Sequence, residues 1–154
     1  MSRKSPRRVM AVASGGGHWV QLLRLRPALR DHDVTFVTVR DQYRADLDAD
    51  DRLIVVEDAT RWDRLKMVKL TLQLLWAVLR HRPQVIISTG AAPGVLALQL
   101  GKLVRARGIW VDSIANCEEI SMSGRRAGRL ADLWLTQWPH LATEDGPRYE
   151  GSVA

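Results

Sequence analysis

The chain has 154 residues, enough for one domain around one core. At 46% hydrophobic and 26% charged residues it is no disordered tail, and its single cysteine, Cys117, excludes an internal disulfide. Lys and Arg number 23 against 17 Asp and Glu, a formal charge of +6, which calls for an anionic partner.

Arg3, Lys4, Arg7 and Arg8 precede a short apolar run, Val9 to Ala13. A secretory signal needs roughly 7–15 apolar residues there, so residues 1–8 read as a basic tail and the protein as cytoplasmic. Val9–Ala13 is the first expected strand, and Gly15–Gly17 the turn after it. A helix over His18–Arg30 follows, with Leu22, Leu25 and Leu29 on one face. Val34–Val39 and Leu53–Val56 are the next strands, and Arg61–Arg82 is a long helix stopped by Pro83. Val85–Ile87 is a buried strand, followed by a turn and a helix over Pro93–Arg105. Ile109–Val111, a short helix near Arg125–Leu130, and Leu133–Thr136 complete the pattern. Strands alternating with helices predict an α/β fold, a parallel sheet with crossover helices on both faces, over residues 9–139. Residues 140–154, polar and carrying Gly146-Pro147 and Gly151, read as a linker or tail.

In an open parallel sheet, ligands sit beyond the carboxyl ends of the strands. Ser14, Gly15, Gly16, Gly17 and His18 stand there, after the first strand. Glycines let a ligand approach the backbone, and the free N–H groups of a helix start favour an anion. His18 falls in the first helical turn, where the positive end of the helix dipole disfavours an added positive charge. Its imidazole is suited to take a proton from a sugar hydroxyl, or to donate to a phosphate oxygen. Ser88, Thr89, Gly90, Ala91, Ala92 and Pro93 repeat the arrangement after Val85–Ile87, with Pro93 placed for the first helical position. Two such turns side by side would hold a diphosphate. Asp112, at the next strand end, is placed to orient a sugar hydroxyl or His18.

Other motifs are weaker. Gly15 and Gly17 begin a dinucleotide fingerprint, with Asp41 near the required distance, but Val20 stands where the third glycine belongs. The acidic run Asp46–Asp51 imitates a calcium loop, yet Asp51 replaces its glycine and a strand follows, so it reads as a solvated loop. No Cys and His residues have metal-ligand spacing, and neither a metal nor another cofactor is expected. The basic residues lack the interleaved aromatics of a single-strand platform, so nucleic acid is not the expected partner. The helix over Arg61–Arg82 groups Leu65, Val68, Leu72, Leu75, Trp76 and Leu79 on one face, widened by Met67, Leu70, Leu74 and Val78. It is too short in its apolar centre to span a bilayer. With Trp62, Lys66, Lys69 and Trp76 it suits either an anionic membrane surface or burial between the sheet and a partner.

Several segments together carry a resemblance. They are Ser14–His18, Ile87–Pro93, Gly101-Lys102, Ile120–Arg125 and Ala131–Pro139, the last ending in Gln137-Trp138-Pro139. In this order they resemble the Alg-fourteen and PssD family of oligosaccharide and exopolysaccharide biosynthesis, more distantly the MurG-type enzymes. The resemblance implies a Rossmann-like domain, the N-terminal half of a GT-B glycosyltransferase split into two chains. The other chain would bind the UDP-sugar. This one would recruit it to the inner face of the membrane and hold a polyprenyl-diphosphate-linked acceptor. His18 would be the base, Gly15–Gly17 and Thr89–Pro93 the acceptor loops, and Asp112 the acidic residue after the fifth family strand. GT-B enzymes need no metal for donor activation. The eukaryotic members carry an N-terminal membrane helix where this sequence has a short basic tail, which implies the bacterial type, attached through surface contacts. The donor stays open among UDP-glucuronate, UDP-glucose and UDP-N-acetylglucosamine.

Overall fold

Short apolar runs closed by glycine or polar turns become seven parallel strands in the computed structural model, which describes residues 5–153. Arg3 and Lys4 lie outside the described residues. The strands are β1 (Arg8–Ala13), β2 (Asp33–Thr38), β3 (Arg52–Val55), β4 (Val85–Gly90), β5 (Arg107–Val111), β6 (Leu133–Thr136) and β7 (Arg148–Tyr149). They lie in the order β3-β2-β1-β4-β5-β6-β7, every pair parallel, so the connections reverse direction beside β1 and β4. The crossover helices are α1 (Gly17–Arg24), α2 (Arg26–Leu29), α3 (Arg64–His81), α4 (Ala91–Gly101) and α5 (Met122–Gly128). This is the Rossmann-like arrangement.

Alternation along β1 separates two cores. Met10 and Val12 face Leu70, Leu74, Ala77 and Val78 of α3 and Ala97 and Leu98 of α4. Val9, Ala11 and Ala13 face Trp19 and Leu22 of α1 across the other side.

The differences from expectation have local causes. The helix expected over His18–Arg30 breaks at Leu25, whose N–H turns back to the Leu22 carbonyl at 3.0 Å. Pro27 has no N–H to continue the ladder, so α2 restarts with proline near its beginning. The long helix starts at Arg64, not Arg61, because Asp63 caps it by accepting the Lys66 N–H at 3.0 Å. Pro93 is the third residue of α4, not the first; its missing donor still falls among the N–H groups without a helical partner. The wide apolar surface of α3 divides in two. Leu70, Leu74, Ala77 and Val78 are buried, whereas Leu65, Val68, Leu72, Trp76 and Leu79 are exposed.

The acidic run is not simply solvated. Arg26 pairs with Asp48 at 2.8 Å and Asp51 at 2.6 Å, and the Trp19 indole N–H reaches Asp46 at 2.9 Å. Of the expected linker or tail over 140–154, the described residues 140–153 are likewise more than a tail. They carry β7 on the sheet edge, and Val153 donates its N–H to Gln137 Oε1 at 2.8 Å.

Candidate functional site

The pairing of β1 with β4 slips at one point: Val12 faces Ser88, but Ala13 faces Gly90. Thr89 is thereby bulged out of register, and its hydroxyl and carbonyl turn to the neighbouring helix. Its hydroxyl donates to the His18 carbonyl at 2.6 Å, and its own carbonyl lies 3.0 Å from His18 Nδ1. A carbonyl only accepts, so Nδ1 carries a proton, and in the neutral ring the lone pair falls to Nε2. His18 is half-buried, not sunk in a core.

Gly90 makes the approach feasible. A Cβ there would meet His18 Nδ1 at 2.2 Å, and its φ of +151° suits glycine. The following residue, Ala91, sits at φ +67°, a left-handed conformation that costs a non-glycine residue about 1–2 kcal/mol. Strain of this kind gathers at functional sites. In the first turn, Gly16 at φ +65° forms the reversal into α1. Its N–H is already taken, bonding the Tyr43 hydroxyl at 2.7 Å. Tyr43 stacks on Trp19 with ring centroids 5.0 Å apart, which fixes the phenol over the turn. A Cβ on Gly15 would lie 3.1 Å from Arg40 Nε, so a guanidinium also leans on this loop. The structure thus brings Ser14–His18 and Thr89–Pro93 together at the carboxyl ends of adjacent parallel strands, where the order of connections across the sheet reverses.

Asp112 is not part of that meeting. It does not orient His18; the Thr89 carbonyl does. Its buried carboxylate accepts from Trp110 Nε1 at 3.0 Å, the Ser121 hydroxyl at 2.6 Å, the Ser121 N–H at 3.0 Å and Asn116 Nδ2 at 3.2 Å. With two oxygens holding so many donors, it staples the loop after β5 to the start of α5. A buried amide network, unforeseen in the sequence, ties that loop to α1. Gln21 Nε2 donates to Ser113 Oγ at 3.1 Å, and Gln21 Oε1 accepts from the Ile114 N–H at 3.1 Å and from Gln137 Nε2 at 2.6 Å. Trp138 adds its indole N–H to the Ile114 carbonyl at 2.8 Å. The Gln-Trp-Pro segment that follows β6 therefore works by holding the rim. The signal available for Gln21 was its place one turn after His18; for Gln137 it was a polar residue closing an apolar strand.

The membrane-contact residues divide. Trp62 and Trp76 are exposed, the first beneath the Arg61 guanidinium at 4.5 Å from the ring centroid. Lys66 is exposed too. Lys69 is not a free charge, because its ammonium pairs with Glu57 at 2.7 Å. Leu65, Val68, Leu72 and Trp76 wall an open apolar groove of about 560 Å³ against Ile54 and Val55 of β3. Among the described residues, no helix is long and apolar enough to cross a membrane.

A family model described as oligosaccharide biosynthesis protein Alg14 like matches residues 51–153, from just before β3 to beyond β7. The UDP-N-acetylglucosamine transferase subunit ALG14 of Eremothecium gossypii is 30% identical over 91% of this chain and 76% of its own length. The chain belongs to the Alg14-like family. The subunit of the same name from Yarrowia lipolytica is 28% identical over 93% of this chain and 78% of its own length. Among solved structures, Acinetobacter baumannii MurG superposes with a TM-score of 0.76 at 12% identity, over 97% of this chain and 46% of that one. UDP-N-acetylglucosamine 2-epimerase of Rickettsia bellii gives 0.69 at 12%, over 96% and 45%. At such identities the likeness shows the fold, and this Alg14-like chain spans less than half of either protein. The matched family region holds Thr89–Pro93, Asp112 and Gln137, while Ser14–His18 lies before it.

Proposed function

We propose that this chain is the acceptor-binding subunit of a two-chain UDP-sugar glycosyltransferase acting on a polyprenyl-diphosphate-linked saccharide. The observation that carries the reading is the His18 ring, held by the Thr89 carbonyl with Nε2 left to accept, between two glycine-bearing turns. The diphosphate lies against the amides at the start of α1, whose first N–H groups have no helical partner. Nε2 takes the proton of the acceptor hydroxyl as its oxygen attacks the anomeric carbon of the donor. The bond to UDP breaks, and UDP leaves with the electron pair. The imidazolium so formed keeps its Nδ1–H on the Thr89 carbonyl, whose dipole favours the new charge.

The relatives' names, transferase subunits, and the span of less than half of MurG support a separate donor-binding chain. Those names also make UDP-N-acetylglucosamine the first donor to try. The exposed stripe of α3, with Trp62, Lys66 and Trp76, is the surface proposed to lie peripherally on the anionic cytoplasmic face of the membrane.

The test is reconstitution with the donor-binding chain, UDP-N-acetylglucosamine and a polyprenyl-diphosphate saccharide. Product is expected only with both chains present, and His18→Ala should lower kcat by about 10²–10⁴-fold. Wild-type turnover in that variant would end the assignment of His18 as base and leave the chain a recruiting scaffold.

A further inference from the structure

At the amino end of the sheet, Arg7, Arg8, Arg82, Arg105 and Arg107 line a cavity of about 430 Å³. Among the described residues, no acidic side chain lines it and none of these guanidiniums pairs with a carboxylate. The neighbouring half of the same sheet end differs. There Arg52 meets Asp33 at 3.2 Å, and Arg26 meets Asp48 and Asp51. Charge is balanced under β2 and β3, and left unbalanced under β1, β4 and β5.

Helix dipoles account for part of this. Arg82 caps the carbonyl end of α3 and Arg105 that of a 3-10 turn over Lys102–Val104, and carbonyl ends favour cations. They do not account for Arg7, Arg8 and Arg107, which lie at strand starts. Backbone conformation supplies an independent observation. Arg82 at φ +43° and Arg105 at φ +57° are left-handed, where glycine is the unstrained residue. A chain reversal alone is made more easily by glycine, yet both positions present a guanidinium to the same cavity. The frame is also fixed. Gln84 accepts the Arg8 N–H on its side chain at 3.0 Å and the Arg107 N–H on its carbonyl at 2.9 Å, while Arg8 Nε donates to the Arg82 carbonyl at 3.0 Å.

We propose that this cavity is a second anion site, binding a phosphate-bearing group of about diphosphate size through guanidinium forks. The six residues of β1, at about 3.3 Å each, put it roughly 20 Å from His18, so one diphosphate cannot serve both places. The proposal does not depend on the reaction assigned to His18. The phosphate comes either free in solution or as the headgroup of an anionic phospholipid, and the two are separable.

The experiment is calorimetry of the full chain with pyrophosphate, beside sedimentation with phosphatidylcholine vesicles with and without phosphatidylglycerol. The double variant R82G/R105G removes two guanidiniums while relieving two left-handed residues. It should melt no lower than wild type, yet lose at least about tenfold in affinity for one of the two probes. R7Q/R107Q should lose the same binding without touching the left-handed positions, and H18A should keep it. A loss confined to pyrophosphate identifies the free ligand; a loss confined to phosphatidylglycerol vesicles identifies the headgroup. Affinities within twofold of wild type for both probes in both double variants would overturn the site, as would a wild-type chain that binds neither.

Discussion

His18 is positioned by the absence of an atom as much as by a bond. Gly90→Ala adds a methyl 2.2 Å from Nδ1, so the ring must leave the Thr89 carbonyl. Turnover should fall about as far as in His18→Ala, roughly 10²-fold or more, and the melting temperature should fall too, because an L residue at this φ is strained; steady-state kinetics and a thermal melt on one sample check both. Ala91→Gly should instead raise stability by about 1 kcal/mol, read by urea titration, because it relieves a left-handed alanine. Asp112→Ala strands several buried donors and should cost about 3–5 kcal/mol, with half-unfolded protein at markedly lower urea. The glycines and His18 were legible because their composition is unusual for an ordinary turn. Thr89 was not, since its part comes from a slipped register between strands distant in sequence. Asp112 was legible as a strand-end acid, but not its burial or its partners, which arrive from an indole and a helix cap.

At the level of elements, α3 separates packing from surface. Leu74 is fully buried and Leu72 is 60% exposed on the other side. Leu74→Ala should cost about 2–5 kcal/mol, whereas Leu72→Gln combined with Trp76→Gln should stay within about 1 kcal/mol of wild type. The second pair should nevertheless reduce sedimentation with anionic vesicles; unchanged sedimentation would remove α3 as the membrane surface. The helix and its apolar breadth were readable from spacing alone. Which half turns inward was not, because α3 and α4 share the sheet face and leave one flank of α3 uncovered beside the edge strand β3. Residues 140–153 give no strand signal in sequence for a related reason. Two residues of β7 carry no periodicity, and only the open edge of β6 makes them a strand.

The whole molecule should report its protonation through His81. Burial first, then the charges of Arg80 and Arg52, holds this imidazole below its ordinary value, with Asp33 opposing. Unfolding therefore takes up a proton between the lowered folded value and the free value of about 6.5. The His81 contribution to stability is full above that value and declines as pH falls toward the folded one; His81→Gln should flatten this part of the curve in urea titrations near neutrality and about one unit below. The alternation of strands and helices made the parallel sheet legible, since each crossover has to return along a face. The polarity of the molecule was not, because arginines far apart in sequence meet only when β1, β4 and β5 align. The reciprocal Thr89–His18 clasp fixes the imidazole within this chain alone. A donor chain closing over this rim, as proposed, meets an imidazole whose orientation and tautomer were set when the strands paired. Docking then spends none of its free energy on a rotamer search, and the rate becomes sensitive to how high the sugar nucleotide is carried above the sheet.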